Sequence, residues 1–361
     1  MTSQLFSPIQ LRGVCLPNRI VVSPMCQYMS DEGSANDWHL MHLGQFAMGA
    51  GGLLITEATH VSAVGRISYR CLGLYSDDNE TTLKRVVDFC RKYGVAHLGI
   101  QLAHAGRKGS VHPPAKGSKP LTAEESAWTT LAPSAIPFGP GWHTPKALTR
   151  AQLGEVKQQF VDAARRALRI GFDLVELHAG HGYLLHEFLS PISNQREDEC
   201  GGTTANRMRF PLEVFEAVRA VWPADRPCGV RLSATDWAEG GWTVEESVIL
   251  ARELKARGCD FLDVTSGQLD PRQQIPLAPG YNVFLAERIK REAAIPVMAV
   301  GMITSAKQAE DIIAGNQADM VAIARGMMDD PRWAWHAARE LGAQTPYAAN
   351  YQRCHPSAWK P

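Results

Sequence analysis

The sequence predicts an α/β fold, a single (β/α)8 TIM barrel that spans residues 1–361. Short apolar segments rich in β-branched residues recur eight times, and helical segments follow most of them. Strands that are apolar on both faces are typical of a parallel sheet covered by helices, and eight is the number of strands that closes such a barrel. A doubly wound open sheet is the alternative that this pattern leaves.

The individual elements follow from local composition. The predicted strands occupy residues 19–24, 51–59, 97–104, 172–179, 228–234, 261–267, 296–301 and 320–326. The predicted helices occupy residues 82–94, 149–171, 209–222, 243–258 and 305–315, and most end at a glycine. The segment 105–147 is rich in proline, glycine, serine and lysine, which indicates an extended functional loop after the third strand.

Charge and composition exclude several classes of function. Lys plus Arg and Asp plus Glu both number 37, so the chain has no basic excess with which to bind nucleic acid. The N-terminus does not resemble a signal peptide, and no segment approaches the roughly 18 apolar residues of a membrane span. The eight cysteines include no CxxC pair. They are therefore expected to be reduced thiols in a cytoplasmic protein without a metal site.

Polar residues concentrate at the C-terminal ends of the predicted strands, where barrel enzymes carry their active sites. These strand-end residues are Ser23, Cys26, Tyr28, Glu57, Ala58, Thr59, Gln101, His104, Arg107, His178, His181, Tyr183, Arg231, Asp236, Gly301, Arg325 and Gly326. The densest group is in "HAGHGYLLHEF", which holds His178, His181 and Tyr183 within six residues. A zinc site is disfavoured because "HEFLS" lacks the second histidine of HExxH.

A second pattern lies after the last two strands, at the usual phosphate site of these barrels. Gly301 would let backbone N–H groups approach an anion, and Arg325 would offer a guanidinium fork. A glycine turn with a surface arginine explains the same residues equally well. A phosphorylated flavin would use both patterns, with Gln101 on its pyrimidine edge and Arg231 near N1 and C2=O, where reduced flavin becomes anionic.

Six motifs in order resemble the old yellow enzymes, a family of FMN-dependent ene reductases. They are "SPMCQY", "QLAHAGRK", "HAGHGYLLHEFLSP", "GGTTANRMRFPLEV", "RLSATD" and "ARGMMDDPRW". The cysteine of the first motif points to the bacterial branch of xenobiotic reductases and thermophilic-like members. The chain departs from the family pattern at Gly180, where alanine is usual, and at Cys200 and Thr203, where tyrosine and serine are common.

The resemblance implies an NADPH dehydrogenase of the ene reductase type, with FMN as cofactor and NADPH or NADH as reductant. It implies that FMN is bound by Ser23, Pro24, Met25, Cys26, Ala58, Gln101, Arg231, Gly301, Ala324 and Arg325. The substrates it implies are α,β-unsaturated carbonyl compounds or nitro compounds. Their oxygen would bind His178 and His181, Tyr183 would donate a proton, and Tyr28 would border the substrate pocket.

The resemblance also predicts a role for the C-terminal tail, residues 340–361. Its Tyr351-Gln352-Arg353 run is similar to the tail motif by which this branch inserts an arginine into the pocket of the adjoining subunit. We therefore expect a homodimer or homotetramer in which Arg353 contacts a neighbour's substrate. A frayed terminus is the simpler alternative.

Two other functions remain open at the level of sequence. One is another barrel enzyme, either a flavin-dependent dehydrogenase that works in the oxidative direction or a sugar-phosphate isomerase or aldolase. A Schiff-base aldolase needs a lysine on an inner strand, and none of the predicted strands contains one. The other is a non-enzymatic flavoprotein that stores or senses FMN, which would not need His178, His181 and Tyr183.

Overall fold

Eight parallel strands of this chain close into a barrel. The structure is a computed structural model that describes residues 3–49 and 51–359. The strands are β1 Ile9–Leu11, β2 Val14–Leu16, β3 Ile20–Val22, β4 Leu53–His60, β5 His97–Ala103, β6 Leu131–Ala132, β7 Lys146–Ala147, β8 Leu174–Ala179, β9 Cys228–Ser233, β10 Leu262–Thr265, β11 Val297–Ala299 and β12 Met320–Ile323. The helices are α1 Asp37–Gly49, α2 Asp77–Tyr93, α3 Arg150–Ile170, α4 Leu184–Leu189, α5 Thr204–Val221, α6 Val244–Ala256, α7 Val283–Ala293, α8 Ala306–Ala314, α9 Arg325–Asp329 and α10 Trp333–Glu340.

The barrel contains β3, β4, β5, β8, β9, β10, β11 and β12, in that order around its circumference. These are the eight predicted strands, so the predicted (β/α)8 barrel is confirmed and the open-sheet alternative is wrong. Several strands are shorter than predicted. The segment 261–267, for example, forms a strand over four residues, because the backbone turns at Gly267, whose φ is +71°.

The five predicted helices are present as α2, α3, α5, α6 and α8. Each follows a serine or threonine whose side chain accepts a hydrogen bond from a backbone N–H of the first turn. Such caps contribute about 1 kcal/mol each to stability. Helix α1 was not predicted, because "DWHLMHLGQFAMG" mixes buried histidines and glycines with its apolar residues and lacks a charged face.

An antiparallel hairpin of β1 and β2, which was not predicted, covers the N-terminal end of the barrel. Its leucines join an apolar group inside the barrel that we call the floor cluster. The floor cluster consists of Leu11, Leu16, Val21, Leu53, Ile55, Leu174, Phe261, Met298, Met320 and Ala322, each at most 3% exposed. Apolar side chains therefore close this end of the barrel, and the opposite end is left to form a site.

The segment 105–147 contains little regular structure apart from three 3-10 turns and the two-residue strands β6 and β7. Within it, the rings of Phe138 and Trp142 pack edge to face with centroids 4.8 Å apart.

Among the described residues, no helix combines the length and the apolar character needed to cross a membrane.

The C-terminal tail packs on the barrel of its own chain. Tyr347 stacks on Trp335 of α10 with ring centroids 4.2 Å apart, and Tyr351 packs against the same ring. Residues 360–361 of the predicted tail lie outside the described residues, as do residues 1–2 at the start of the predicted domain and residue 50.

Candidate active site

Three polar side chains meet where β8 ends. His178 lies in β8, His181 lies in the following turn, and Tyr183 immediately precedes α4. The turn is tight because His181 and Gly182 adopt φ values of +56° and +71°. A side chain at position 182 would collide with the backbone of Gln268, so the turn requires glycine there. As a result, the rings of His181 and Tyr183 lie 5.1 and 5.2 Å from the His178 ring, nearly perpendicular to it.

The two histidines form a hydrogen-bonded chain that fixes their protons. His178 Nδ1 accepts a hydrogen bond from the Gly180 N–H at 3.2 Å, so the proton is on Nε2, which lies 3.1 Å from His181 Nδ1. His181 Nε2 lies 3.1 Å from Thr265 Oγ1. Burial, and then the charge of Arg231, lower the pKa of both rings well below the ordinary value. Both are therefore neutral, and each carries one N–H donor on Nε2.

The phenol of Tyr183 lies in a largely apolar cluster. Cys26, Tyr28, Trp142 and Tyr183 pack there against Ile67, Cys71, Ala105 and Val111. Burial raises the pKa of Tyr183 well above its usual value, and Cys26 and Cys71 raise it further. Burial likewise raises the pKa of Tyr28. Tyr183 is therefore a fully protonated acid at neutral pH, and Tyr28 belongs to the same cluster.

The thiol of Cys26 belongs to this same cluster. Its pKa is raised well above the usual range, first by burial and then by Glu57. Because the thiolate is the reactive form of cysteine, Cys26 is a poor nucleophile here.

Four polar side chains form a layer inside the barrel, above the floor cluster. This polar layer consists of Gln101, Glu176, Arg231 and Asp263, each at most 6% exposed. Gln101 Nε2 donates to Glu176 Oε1 at 2.7 Å, and Arg231 Nε lies 3.1 Å from Asp263 Oδ2. Burial, and then the nearby Asp263, raise the pKa of Glu176 to about 8. Burial raises the pKa of Asp263 as well, so the pair favours the retention of one proton, and Arg231 balances the remaining negative charge.

A cavity of about 380 Å³ opens at the ends of β11 and β12. Gly301, Ala324 and Arg325 from the predicted phosphate loops line it, together with His181 and Arg231. The predicted phosphate residues and His181, one of the two predicted catalytic histidines, thus border one space.

This cavity suits an anionic group such as the phosphate of a flavin. Its lining residues include two arginines and no Asp or Glu. The side-chain Nδ2 of Asn282, another lining residue, is buried and has no hydrogen-bond partner among the described residues. Gly301 has a φ of +127°, and a Cβ there would press on Asn282 and Tyr281. An unpartnered donor and a backbone free of side chains are what a bound phosphate requires.

Lys108 joins three of the loops around the site. Its Nζ donates to the backbone carbonyl oxygens of His181 and Gln268, at 2.8 Å each. It also lies over the rings of Tyr183 and Phe138, 5.3 and 4.8 Å from their centroids. Burial lowers the pKa of this ammonium to about 7. Lys108 therefore fixes the loops after β8 and β10 relative to the segment 105–147.

Asp236, one of the strand-end residues, supports the turn before Tyr183 indirectly. Its Oδ1 lies 2.9 Å from His186 Nε2, and both side chains are fully buried. His186 Nδ1 in turn accepts a hydrogen bond from the Gly182 N–H at 2.9 Å. The other carboxylate oxygen of Asp236 accepts from Ser190 Oγ at 2.6 Å.

The remaining predicted flavin residues follow β3 or lie in β4. Ser23, Pro24, Met25 and Cys26 follow β3, and the Ser23 hydroxyl is buried and has no partner among the described residues. Ala58 pairs with Gln101 across β4 and β5, just after an irregularity in the strand register.

Arg353 is the predicted site residue that does not join this group. Tyr351 lies beside residues 92–95, which lead into the N-terminal end of β5. The tail therefore packs near the end of the barrel opposite to the histidines, and Arg353 is exposed there. It does not reach the site of its own chain.

Several site residues were not predicted, namely Lys108, Glu176, Asp263, Thr265 and Asn282. Glu176 and Asp263 lie in the middle of strands, whereas the prediction considered strand ends. The available signal was the spacing of two between Glu176 and His178, which puts both side chains on the same face of β8. Lys108 stands in the quoted motif "QLAHAGRK", but its partners are backbone carbonyls that no pattern of side chains reveals.

Known proteins are similar in sequence to this chain over nearly its whole length. The model of the NADH:flavin oxidoreductase / NADH oxidase family matches residues 4–344. An NADPH dehydrogenase of Geobacillus sp. (strain WCH70) is 45% identical over 355 residues, which cover 98% of this chain and 99% of that protein. An NADPH dehydrogenase of Listeria innocua serovar 6a is 44% identical over 360 residues, covering 99% of this chain and 100% of that protein.

Solved structures share the fold. Morphinone reductase superposes with a TM-score of 0.80 at 28% identity, over 95% of this chain and 91% of that one. A complex of morphinone reductase with tetrahydroNAD gives 0.78 at 28% identity, over 95% and 92% of the two chains. A 2-naphthoyl-CoA reductase gives 0.84 at 25% identity over 93% of this chain, which spans about half (52%) of that enzyme.

Proposed function

Because the chain belongs to the NADH:flavin oxidoreductase / NADH oxidase family, which includes the old yellow enzymes, we propose that it reduces activated C=C bonds. It is an FMN-dependent oxidoreductase with a nicotinamide cofactor as reductant. The proposed substrates are α,β-unsaturated carbonyl compounds and nitro compounds, with NADPH as the electron donor. The observation that carries the proposal is the grouping of His178, His181 and Tyr183 beside a cavity suited to a phosphate.

We propose that the residues named from the sequence hold FMN. The phosphate would bind in the cavity of Gly301, Ala324 and Arg325, and the ring would lie across the barrel mouth, over the polar layer. The ring contacts would come from Ser23, Pro24, Met25, Cys26, Ala58, Gln101 and Arg231. The unpartnered Ser23 hydroxyl and Asn282 amide support this assignment. When bound, FMN supplies the hydride that reduces the alkene.

His178 and His181 bind the carbonyl or nitro oxygen of the substrate in this proposal. Both rings are neutral donors through Nε2, and two such donors stabilise the negative charge that forms on the oxygen as hydride reaches the β-carbon. His181 Nε2 lies against Thr265 in the structure, and His178 Nε2 lies against His181. Substrate oxygen would therefore replace these two internal contacts.

Tyr183 completes the reduction by donating its phenolic proton to the α-carbon of the substrate. Its raised pKa keeps that proton in place until negative charge develops on the neighbouring carbon. The edge-to-face contact holds the Tyr183 ring 5.2 Å from the ring of His178, one of the two oxygen-binding residues. Tyr28, in the same cluster, forms part of the wall of the substrate pocket.

We further propose a cytoplasmic homodimer or homotetramer. The exposed position of Arg353, away from the site of its own chain, supports its insertion into a neighbouring subunit. Its planar guanidinium would find acceptor oxygens beside flavin and substrate. The eight cysteines, all in the described residues, are unpaired thiols, which supports a reducing compartment.

The decisive experiment is an anaerobic one in two steps. The purified yellow protein is reduced with NADPH and then mixed with cyclohexenone. We expect the oxidised flavin spectrum to return, with cyclohexanone as product. Added cyclohexanone, the saturated control, should leave the flavin reduced. Persistence of reduced flavin with the enone would favour a storage protein, an isomerase or a dehydrogenase that works in the oxidative direction.

The cofactor assignment has its own test. Heat should release FMN and not FAD from the protein. Arg325→Ala should lower the fraction of protein that carries FMN, because a charge-assisted contact with the phosphate is lost. Equal FMN occupancy in the variant and the wild type would contradict the assignment of Arg325.

A further inference from the structure

The polar layer contains more carboxyl groups than cations. Two carboxyl groups, Glu176 and Asp263, share it with one cation, Arg231, and both carboxyl groups are fully buried. The floor cluster separates them from solvent on one side. Any proton exchanged with solvent would therefore have to reach them from the barrel mouth, past the edge of the flavin.

The hydrogen bonds of the two acids are incomplete. Glu176 Oε1 accepts from Gln101. Within the described part of the chain, Glu176 Oε2 and both oxygens of Asp263 lack a hydrogen-bond partner, apart from the ionic contact of Asp263 with Arg231. A buried carboxylate without compensation costs several kcal/mol. One retained proton would supply the missing donor and bring the layer to zero net charge.

The remaining surroundings do not compensate a second negative charge. On β8, the group that faces this layer is the neutral ring of His178, two residues beyond Glu176. The strands β3, β4, β11 and β12 contribute Val21, Ile55, Met298, Met320 and Ala322 to the adjoining interior, none of which titrates. Arg231 is thus the cation on which both carboxyl groups depend.

We propose that Glu176 and Asp263 together form a proton-accepting pair that takes up one proton from solvent when the flavin is reduced. This inference rests on the proposed function, because it requires FMN to lie against Arg231. Hydride transfer from NADPH gives NADP+ and an anionic reduced flavin, and it releases no proton. The negative charge added to the flavin interacts with Arg231, so Arg231 stabilises the two carboxyl groups less. A second negative charge on the pair is then unfavourable. A carboxylate of the pair then becomes a carboxylic acid by binding H+ from solvent.

The pH range of this uptake follows from the state of Glu176. Its pKa is about 8 without the extra charge. At about pH 6 the group is already protonated in both redox states, so reduction changes nothing. At about pH 9 it is ionised while the flavin is oxidised and becomes protonated on reduction, because the reduced flavin raises its pKa further.

The test counts protons during reduction of the FMN holoenzyme by one equivalent of NADPH. A pH-indicator dye in weakly buffered, anaerobic solution reports the uptake. For the wild type we expect roughly one proton per flavin at about pH 9 and none at about pH 6. Glu176→Gln keeps the size and the acceptor for Gln101 but cannot titrate, so its uptake should vanish at both pH values.

Glu187→Gln is the matched control. Glu187 is also fully buried and has a pKa raised to about 8 by burial. However, it lies on α4, outside the barrel interior, where its Oε1 accepts from the Arg107 N–H. This variant should take up a proton as the wild type does. Uptake by Glu176→Gln equal to that of the wild type, or no uptake by the wild type at about pH 9, would overturn the proposal.

A second measurement applies if Glu176→Gln fails to fold or to bind FMN. In the oxidised Glu187→Gln protein, which lacks the other carboxyl group with a pKa of about 8, the infrared spectrum should show a protonated carboxyl group that titrates near pH 8. Asp263→Asn should remove the nearby charge and move that titration to lower pH. Absence of such a band would refute the pair. Failure of cyclohexenone to reoxidise the flavin would count against the ene reductase alone, since proton uptake is measured without it.

Discussion

Gly229→Ala is expected to destabilise the barrel more than a methyl group on a strand normally would. Gly229 lies in β9, beside Glu176 in the register of the sheet. A Cβ at this position would lie closer than 3.0 Å to three ring carbons of Phe261. The ring cannot move easily, because it is fully buried in the floor cluster between side chains such as Leu174 and Met298.

The magnitude follows from two opposing terms. Overpacking of a well-packed core costs about 1–3 kcal/mol, and three simultaneous clashes indicate the upper end of that range. Replacing glycine by alanine in a strand returns roughly 0.5–1 kcal/mol by restricting the unfolded chain. The net expectation is a loss of about 2 kcal/mol in the free energy of unfolding, or roughly 3 °C in melting temperature.

Urea denaturation followed by circular dichroism measures this loss. Gly154→Ala is the control, because Gly154 lies in α3 and a Cβ there would meet nothing within 4 Å. That variant should gain up to about 1 kcal/mol. Phe261→Leu removes the clashing ring, so the double variant with Gly229→Ala should lose less stability than the sum of the two single variants. Additive losses, or a Gly229→Ala protein as stable as the wild type, would refute the reasoning.

Three further expectations concern the site. Tyr183→Phe should slow flavin reoxidation by enones about 10²- to 10⁴-fold and leave reduction by NADPH unchanged; stopped-flow traces in which only flavin reduction is slowed would contradict the proton-donor role. Cys26→Ala should change the reduction potential of the flavin modestly while turnover persists, because the protonated thiol is not a nucleophile; complete loss of turnover with FMN bound would argue against this. Arg353→Ala should raise the KM for enones in a folded, yellow oligomer; a monomeric wild type by light scattering, or unchanged enone kinetics, would remove the tail from the site.

The strands could be predicted because a parallel barrel buries both faces of each strand, and this leaves continuous apolar segments in the sequence. The helices with a Ser or Thr cap and one polar face were equally visible. The hairpin of β1 and β2 was not, since two strands of three residues are too short to show a period. Helix α1 was missed for a related reason, as it is packed on several sides and has no polar face.

The sequence predicted those residues of the candidate site that lie at the ends of strands. His178, His181 and Tyr183 were found because polar residues are unexpected where apolar strands stop. Glu176 and Asp263 were missed because a single carboxyl group within an apolar strand does not indicate a site by itself. It does so only once its partner on another strand is known. The contact between the two histidines also depends on backbone angles at His181 and Gly182 that residue identity does not determine.

The hydrogen bonds of Lys108 bear on how freely this pocket can be redesigned. Both acceptors are backbone carbonyl oxygens, at positions 181 and 268. A backbone carbonyl is present whatever side chain the residue carries, so the connection between the loops does not depend on the identity of residue 268. Libraries that vary position 268 and its neighbours to accept new substrates should keep their loop geometry as long as Lys108 is retained. Libraries that include position 108 should yield mostly proteins with misplaced loops.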